Sequence, residues 1–382
     1  MRISIYHNIL WAKYKGVVFS RVHSLSRTRG IATSFIQVAE TETARVALGG
    51  VDLSYHNYPF RLLFKGAYSD SSRLERSVAL AKDLFRHPCD LVVIPGYHRA
   101  EHWAMLFVCI LLRRKRAVFC DSTSYDHPNI LYKGFAKRWF FGLCDGYFCY
   151  GIRSKQYLMS YGARESKIHY RCQVAALPHG YNPAKILLRY EAKQNDPPQA
   201  PRFLYVGRLS PEKGIDDLLK AFCIVLASLP TAQLDIVGAG PSTAELTSLI
   251  AELGIGDSVA LLGSKSLEDI ASLFENSTAL VLPSHSEPWG LVVNEALSYG
   301  CPVVVSNSCG CVPDLVLQDI TGLSFDAGDV DALAKSMVSV QQMSANRVTM
   351  ARQCLETIAA FSPERAATQL LDGCMRMIEN EE

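Results

Sequence analysis

The chain has 382 residues, of which 49% are hydrophobic and 20% are charged. This length exceeds the roughly 250 residues over which one hydrophobic core can grow, so it predicts two domains, and the apolar content excludes a disordered or fibrous protein. The net charge of +2 is unevenly distributed, because residues 1–190 hold 28 basic and 12 acidic residues whereas residues 191–382 hold 11 basic and 25 acidic ones.

The strongly basic first half indicates an anionic partner, such as a phosphate-bearing substrate, an acidic membrane surface or a nucleic acid. The alternative is a solubilising surface on two domains that attract each other. The longest apolar run, residues 104–112, is about half as long as the ~20 residues of a membrane span, and the N-terminus lacks the pattern of a signal peptide. We therefore expect a cytoplasmic protein.

Short apolar runs alternate with longer amphipathic stretches, which is typical of repeated βαβ units and parallel sheets. The predicted strands cover residues 2–6, 33–39, 90–95, 117–120 and 146–150 in the first half, and 202–206, 233–237, 258–262, 279–282 and 302–305 in the second. Apolar residues at helical spacing predict a helix over 214–227.

The domain boundary is predicted in the segment EAKQNDPPQAP, residues 191–201, because it carries three prolines and almost no apolar side chains. The first domain then covers residues 1–190 and the second covers 191–362. Pro363 restarts a helical pattern, so we expect a last helix within 363–382 that packs back on the first domain.

The 12 cysteines are scattered at irregular spacing, as expected of reduced, buried thiols. Only Cys309 and Cys311 are close together. Because no second pair and no histidine lie near them, we do not expect a metal site there.

The first chemical motif follows the predicted strand 202–206 and reads Gly-Arg-Leu-Ser-Pro-Glu-Lys-Gly over residues 207–214. Open α/β sheets bind ligands at the carboxyl ends of their strands. Arg208 offers a planar fork and Lys213 a point charge, which together suit a diphosphate. In the alternative interpretation both cations merely pair with nearby carboxylates such as Glu212 or Asp216.

The second motif, residues 283–295, follows the predicted strand 279–282 and contains Pro-Trp-Gly before a helix. The first amides of that helix, residues 290–292, have no intrahelical acceptor and predict an anion site. Glu287 precedes the helix and Glu295 lies on its second turn, where a carboxylate can accept hydrogen bonds from vicinal hydroxyls such as those of a ribose. The alternative is a helix cap and a solvated helix residue.

Together these motifs resemble family 4 of the retaining glycosyltransferases, over about residues 203–333. The resemblance implies the GT-B fold, an α/β architecture of two Rossmann-like domains with parallel sheets that face each other across a cleft. It implies that Arg208 and Lys213 bind the diphosphate of a nucleotide sugar, that Glu295 binds the ribose and that Glu287 binds the transferred sugar. The donor-binding residues that it implies in the second domain are Gly207, Arg208, Lys213, Gly238, Gly240, Ser264, Lys265, Glu287, Gly290, Leu291, Val292 and Glu295.

In the first domain the resemblance is looser. The family often has paired glycines in the first loop, whereas this chain has only Gly16, which we expect to open a helix and to approach the donor phosphates. His98 and Asp121 each follow a predicted strand. His98 is the preferred candidate to face the sugar and Asp121 is the next, although the sequence does not settle which of the two does so.

The mechanism that the resemblance implies is front-face substitution with retention, in which the leaving diphosphate takes the proton of the acceptor hydroxyl. Its catalytic residues are Glu287, Arg208, Lys213, His98 and Asp121. We expect the positive side chains and helix amides to stabilise the leaving diphosphate without a metal, and we expect no other cofactor.

The acceptor is inferred from two stretches that set basic beside apolar residues. These are residues 106–112 followed by the basic run 113–116, and residues 133–148, which suit an anionic bilayer surface. The alternative is two core helices. We expect an enzyme at the inner face of a membrane that acts on a lipid-diphosphate-linked saccharide in polysaccharide or cell-surface glycan synthesis, and no nucleic-acid partner. A soluble small-molecule acceptor, and a non-catalytic protein that binds a nucleotide sugar or nucleic acid, stay open as alternatives.

Overall fold

A computed structural model of the chain describes residues 1–43, 45, 49–125, 131–195 and 199–379, with 131–133 described as backbone only. Part of the predicted linker, residues 196–198, therefore lies outside the described residues. The chain divides into two compact units, Met1–Ala176 with the chain from Phe361 onward, and Leu177–Ala360. Each unit is described by itself below.

The first unit is built on a parallel sheet that has seven strands within the described ranges. Its strands lie in the order β3-β2-β1-β4-β5-β6-β7, and all neighbouring strands run parallel. The elements are β1 (Arg2–Ile9), α1 (Lys13–Thr28), β2 (Ala32–Ala39), β3 (Phe60–Leu62), α2 (Arg73–Arg86), β4 (Leu91–Ile94), α3 (Ala100–Leu111), β5 (Lys115–Cys120), α4 (Leu131–Gly142), β6 (Gly146–Cys149), α5 (Ile152–Ser160) and β7 (Ile168–His169).

The second unit repeats this plan with six parallel strands among its described residues, in the order β10-β9-β8-β11-β12-β13. Its elements are α6 (Pro183–Ala192), β8 (Arg202–Val206), α7 (Ile215–Ser228), β9 (Gln233–Val237), α8 (Thr243–Glu252), β10 (Val259–Gly263), α9 (Leu267–Asn276), β11 (Ala279–Leu282), α10 (Leu291–Ser298), β12 (Val303–Ser306), α11 (Val312–Leu315), β13 (Gly322–Phe325), α12 (Val330–Met343) and α13 (Arg347–Ile358). The predicted pair of Rossmann-like α/β domains with parallel sheets is confirmed.

Both faces of the first sheet are covered, which explains its continuous apolar runs. Ile5 packs on one face in a cluster with Phe119, and Tyr6 packs on the other with Val118. The four residues of β4 are fully buried. Strands buried on both faces lose the alternation of polar and apolar residues, and this is why short apolar runs predicted them.

The last helix, α14 (Pro363–Glu379), packs on the first sheet beside α1. Gly373 makes the close approach possible, because a Cβ there would lie within 3 Å of the rings of His169 and Phe148. Outside this contact, Arg21 of α1 pairs with Glu364 at 2.9 Å. Thus α14 completes the first unit although it follows the second in the sequence.

The boundary between the units lies between residues 176 and 177, whereas the sequence placed it at residue 190. The reason is that α6 belongs to the second unit. Tyr181 donates a hydrogen bond to the carbonyl oxygen of Ser298 at 2.6 Å, and the buried Tyr190 donates to that of Tyr299 at 3.1 Å. These anchors precede the polar, proline-rich segment that suggested a linker.

No helix in the part of the chain that the structure describes is both long enough and apolar enough to cross a membrane.

Candidate functional site

The order of strands in the second sheet reverses between β8 and β11. The chain passes from β8 through β9 to β10 at one edge, then returns to β11 on the other side of β8 and continues outward. Loops that leave the sheet on either side of such a reversal diverge, and open α/β sheets bind ligands in the crevice between them. The loops after β8 and β11, residues 207–214 and 283–290, are the two motifs that the sequence identified.

Backbone contacts join these two loops. The amide of His285 donates to the carbonyl oxygen of Glu212 at 2.9 Å. Gly214 has a φ of +62°, and a Cβ there would collide with the carbonyl oxygen of Pro283. Glycine is therefore needed at position 214 for its backbone conformation and for the close approach of the second loop.

Each cation predicted to bind a diphosphate has a carboxylate partner. Arg208, whose side chain is 54% exposed, donates to Oε1 of Glu212 at 2.8 Å, as the alternative interpretation predicted. The hydroxyl of Ser210 donates to the same oxygen and is the main cause that lowers the pKa of Glu212. Lys213 donates from Nζ to Oε2 of Glu287, and both of these side chains are largely buried. The second pair thus joins the two sequence motifs.

The backbone around Glu287 is held by a segment that the sequence analysis did not include in the site. Gly310 donates its amide to the carbonyl oxygen of Glu287, and Cys311 donates to that of Trp289, both at 2.9 Å. A Cβ on Gly310 would overlap the carbonyl oxygen of Pro288. The Cys-Gly-Cys sequence therefore fixes this loop through its backbone, and its two cysteines are buried and do not form a disulfide bond. In the sequence, the glycine between Cys309 and Cys311 was the available signal that another part of the backbone packs closely at this position.

Helix α10 begins after Gly290, which has a φ of +97°. The amides of Gly290, Leu291 and Val292 have no acceptor among the described residues, whereas that of Val293 donates to the carbonyl oxygen of Gly290 at 2.9 Å. Three free amides at a helix N-terminus form a site for an anion, because the helix dipole and the N–H groups act together.

Glu295 lies one turn after Leu291 on α10, so both residues are on the same face of the helix. Its carboxylate is partly buried and has no hydrogen-bond or ion-pair partner in the described part of the chain. Burial raises the pKa of Glu295 to about 7. An unpaired, partly desolvated carboxylate is suited to accept hydrogen bonds from the hydroxyls of a ligand.

The loops after β9 and β10 are joined to the loop after β8. Leu209 donates its amide to the carbonyl oxygen of Ala239 at 3.1 Å, and the amide of Gly238 donates to that of Gly263 at 2.9 Å. A Cβ on Gly238 would overlap the carbonyl oxygen of Gly207, and Gly240 faces Leu209 in the same way. These glycines permit close loop packing, and the adjacent Ser264 and Lys265 are exposed.

In the first unit, His98 and Asp121 line the same cavity of about 210 Å³. The cavity lies at the carboxyl ends of β1, β4, β5 and β6, and His98 also lines a neighbouring cavity of about 490 Å³. The sequence analysis missed Lys15, whose side chain is buried in the wall of the smaller cavity. A lysine on the buried face of a helix was the available signal, although it does not by itself indicate a ligand.

Gly16 does not open a helix, because α1 already begins at Lys13. Its amide donates to the carbonyl oxygen of Ala12 at 3.1 Å and is therefore not free to bind a phosphate. A Cβ on Gly16 would lie 2.8 Å from the ring of His56. The glycine thus serves the packing of α1 on the loop that carries His56.

Two arginines of the basic run after α3, Arg114 and Arg116, bond to carbonyl groups of neighbouring elements, which the predicted surface role of the run did not anticipate. Arg114 is buried and donates to the carbonyl oxygen of Leu84 at 2.7 Å. Arg116 is partly buried and donates a hydrogen bond to the carbonyl oxygen of Leu143. Arg113, on the other side of Arg114, is exposed. The carbonyls at the ends of neighbouring elements satisfy these guanidinium groups, which the sequence pattern does not reveal.

An exposed aromatic surface lies instead on α3 and α4. Trp139, 54% exposed, packs on Trp103 and Phe107 with ring centroids 5.7 and 5.8 Å away. Phe135 and Leu111, each more than 70% exposed, lie one helical turn from Trp139 and Phe107. We call these five residues the α3–α4 aromatic surface. Within the stretch 133–148, which the sequence analysis predicted to suit a bilayer surface, Trp139 is therefore exposed, whereas its neighbours Phe140 and Phe141 belong to the core.

Two groups of acidic residues are relevant to a metal. Asp216, Asp217 and His285 bring ligand-type atoms within 4.8 Å of one another, but Lys220 pairs with Asp216 at 3.1 Å and competes for that carboxylate. An Asp-x-Asp pair occurs at residues 329–331, where Asp329 caps α12 by accepting the amide of Ala332 at 2.9 Å. The first group is the one that could hold an ion beside the candidate crevice.

A family model matches the part of the chain that contains these loops. Residues 189–354 match the family described as glycosyl transferases group 1. A stretch of 164 residues is 35% identical to the D-inositol 3-phosphate glycosyltransferase of Mycobacterium sp. (strain KMS). The match covers 41% of this chain and 36% of that protein. The match thus spans well under half of the length of this curated relative.

Solved structures resemble the chain over nearly all of its length. The lipopolysaccharide outer core galactosyltransferase WaaB in its apo form has a TM-score of 0.73 at 17% identity, over 98% of this chain and 99% of that chain. The Anabaena protein HepE in complex with UDP has a TM-score of 0.72 at 18% identity, over 98% and 100%. At these identities the likeness shows the fold, which is that of GT-B glycosyltransferases.

Proposed function

We propose that this protein is a retaining glycosyltransferase of family 4, which transfers a sugar from a nucleotide-diphosphate sugar to a hydroxyl group of a glycan acceptor. The observation that carries the proposal is the crevice of the second unit, where two cations, three free helix amides and the unpaired Glu295 follow the neighbouring strands β8 and β11. All of these residues lie within the stretch 189–354 that matches group 1 glycosyl transferases.

The diphosphate of the donor is held in this proposal by Arg208, Lys213 and the amides of residues 290–292. Arg208 is exposed enough to exchange its carboxylate partner for a phosphate, which binds a guanidinium in the same bidentate way. Glu295 accepts hydrogen bonds from the ribose. Glu287, oriented by Lys213, accepts hydrogen bonds from the transferred sugar.

The chemical step balances without a protein base. The bond between the anomeric carbon and the diphosphate oxygen breaks, a bond from the acceptor oxygen to that carbon forms on the same face, and the acceptor proton moves to the leaving diphosphate. The protein stabilises the charge that develops on the diphosphate through Lys213, Arg208 and the amides of α10. Because these groups are positioned before the reaction, they need no reorganisation in the transition state.

We further propose that the reaction needs no divalent metal. The cations of the loop after β8 carry the charge that a metal would otherwise neutralise. The group of Asp216, Asp217 and His285 is the place from which a metal requirement would arise, since it lies at the start of α7 beside the same loop.

As acceptor we propose a lipid-diphosphate-linked saccharide at the inner face of an anionic membrane. Support comes from the α3–α4 aromatic surface, which is flanked by the exposed Arg113 and Arg138, and from the basic excess of residues 1–190. Exposed tryptophan and phenylalanine beside basic residues suit the interface of an anionic bilayer. A soluble phosphorylated acceptor is the second candidate, because the curated relative from Mycobacterium is named for inositol 3-phosphate.

The decisive experiment incubates the purified full-length chain with a panel of nucleotide sugars and follows the release of nucleoside diphosphate. We expect release from one donor, unchanged activity in excess chelator, and a product whose anomeric configuration matches that of the donor by NMR. Lys213→Met should strongly lower the rate of release, whereas Lys335→Met, on the exposed side of α12, should leave it unchanged. Activity that depends on a divalent ion would contradict the metal-free mechanism, and the absence of release from every donor would contradict the proposed function.

A further inference from the structure

Lys15 is a buried cation without a carboxylate partner. Its side chain is only 4% exposed, although it lines the cavity of about 210 Å³ in the first unit. No acidic oxygen of the described residues lies within the 4.0 Å of an ion pair from its Nζ. Removing a charge from water without a partner is costly, so an ammonium group in this position indicates a ligand that supplies the missing negative charge.

Aromatic rings surround the ammonium but do not satisfy its hydrogen-bonding capacity. Nζ lies 4.4 Å from the ring centroid of Phe119 and 5.0 Å from that of Tyr150. Cation–π attraction offsets part of the cost of burial. The faces of the rings offer no acceptors comparable to oxygen for the three N–H groups, which leaves them for a ligand in the cavity.

The other charged groups of the cavity leave an excess of one positive charge. Glu42 is shared by two arginines, with Arg99 at 3.2 Å from one carboxylate oxygen and Arg45 at 3.4 Å from the other. Asp121 is the remaining carboxylate of the lining, and it is exposed and unpaired with Lys15. Three cations thus face two carboxylates, so one further negative charge would balance the cavity.

The neighbouring titratable groups do not change this balance near neutral pH. Burial lowers the pKa of Lys15 to about 8 and that of His7 to about 3, so that Lys15 is mainly charged and His7 is neutral. Burial raises the pKa values of Tyr14, Tyr150 and Cys172, which therefore stay uncharged. The groups that face Lys15 from the elements packed around it are His7, Tyr14, Asp121, Tyr150 and Cys172.

We propose that this cavity is an oxyanion site, in which Nζ of Lys15 binds a phosphate or carboxylate group of the acceptor beside His98. The binding site stands on the geometry of the first unit, whereas its assignment to the acceptor rests on the proposed function. His98 and Asp121 lie in the same cavity and are placed to contact the hydroxyl groups next to that anion. The substrate class that follows is an acidic or phosphorylated glycan rather than a neutral one.

Binding is tested on the full chain labelled with ¹³C-lysine, by following the Cε signal that disappears in Lys15→Met. Inorganic phosphate and glucuronate, added separately, should shift this signal and raise the pKa of Lys15, because an adjacent anion favours the charged form. Neutral glucose should leave it unchanged. Lys13→Met is the matched control, since Lys13 lies on the same helix but already pairs with Asp52 at 3.1 Å. The two anions distinguish a phosphorylated from a carboxylated acceptor.

The assignment to the acceptor is tested by steady-state kinetics once a donor is known. Lys15→Met should raise the KM of an anionic acceptor at least tenfold and leave the KM of the donor within twofold, and Lys15→Gln should behave alike. A rise in the donor KM alone would overturn the assignment. A Lys15 signal that ignores both anions, while the protein still releases nucleoside diphosphate, would overturn the oxyanion site and leave the proposed function intact. A signal that responds in a protein without transferase activity would overturn the acceptor assignment but support the site.

Discussion

The two units arrange their polar groups in different ways. In the second unit the candidate site is made of short loops that are fixed to one another by backbone hydrogen bonds and by crowded glycines, as at Gly214 and Gly238. In the first unit the cavity is made of side chains from separate elements, and a buried lysine lies among aromatic rings. Contiguous motifs thus define one site, whereas only the folded sheet creates the other.

This difference has an energetic side. Lys213 is a partly buried cation that keeps a carboxylate partner in Glu287, and its loss would leave that carboxylate unpaired. Lys15 is a buried cation that has no such partner, so its loss removes a cost. The same chemical change, lysine to methionine, should therefore have opposite consequences in the two units.

The largest effect is expected for Lys213→Met. The substitution removes a charge from the leaving diphosphate and frees Glu287 from its orienting partner. Loss of one preorganised charge at a developing anion typically lowers turnover by about 100- to 1,000-fold, and we expect a decrease in that range. Turnover numbers with a saturating nucleotide sugar provide the measurement, with Lys335→Met as control. A decrease of less than about fivefold would show that the pair is structural only.

The next effect concerns the two carboxylates. Glu295→Ala should weaken the binding of the nucleotide by ~1–3 kcal/mol, which is roughly 5- to 150-fold, because ribose hydroxyls lose their acceptor. Glu287→Ala should instead lower turnover and change nucleotide affinity little. Calorimetric titration of both variants with the nucleoside diphosphate separates the two roles. Equal behaviour of the two variants would contradict the assignment.

Glu295 also predicts how the affinity depends on pH. Because burial raises its pKa to about 7, the carboxylate takes up a proton as the pH falls through 7 and then accepts hydrogen bonds less well. Nucleotide affinity of the parent protein should therefore fall between pH 8 and about pH 6. In Glu295→Gln this part of the pH profile should be flat, and a profile identical to that of the parent would assign the titration to another group.

A smaller effect of opposite sign is expected for Lys15→Met, which should stabilise the protein by about 3 kcal/mol at pH 7. The pKa of Lys15 is about 8 in the folded chain and about 10.4 when unfolded, so folding disfavours its charged form. This cost is complete below pH 8 and disappears as the pH rises towards about 10.5. Thermal unfolding at both pH values should show the gain shrinking, whereas Lys13→Met should show no gain. A variant that is less stable than the parent at pH 7 would refute the unpaired state of Lys15.

The sequence predicted the fold well because buried parallel strands are short, continuous apolar runs. Each predicted strand overlaps an observed one, and the helix predicted over 214–227 is α7. The strands that the sequence missed are β3, β7 and β13, which have two to four residues and lie towards sheet edges. So few residues carry no usable periodicity, and their pairing depends on the strand beside them.

The sequence also predicted the candidate site of the second unit better than the cavity of the first. Arg208, Lys213 and Glu287 could be located because glycine, proline and charged residues occur together after a strand. The spacing did not reveal that Arg208 also pairs with Glu212, or that Gly310 supports the loop from another strand. These contacts depend on the neighbours of a strand in the sheet and not on its neighbours in the sequence.

In the first unit the sequence located individual residues but not their environments. Arg114 was read as a surface charge because it stands in a basic run, yet the fold turns it towards carbonyl groups. The sequence analysis assigned no role to Lys15. Its burial results from β1, β5 and β6, whose carboxyl ends surround it, although β5 and β6 follow β1 by more than a hundred residues in the sequence. A cavity formed by residues from distant strands cannot be recognised from any single stretch of the sequence.

The smallest expected effect concerns the membrane, and it again separates the two units. Phe135→Ser with Trp139→Ser removes apolar contact from the α3–α4 aromatic surface, and each loss should weaken sedimentation with anionic vesicles only about two- to threefold. The matched control is Leu188→Ser in the second unit, where the side chain is 61% exposed. Flanking charges such as Arg113 and Arg138 act only over a Debye length of about 8 Å at physiological salt, so ~0.5 M salt should reduce the binding of the parent as well.

Donor turnover should be unaffected by the double substitution, because both side chains are exposed on α4 and lie outside the second unit. Binding to vesicles that resists both the substitution and the salt would remove the support for a membrane-bound acceptor, and the phosphorylated soluble acceptor would then be the better proposal.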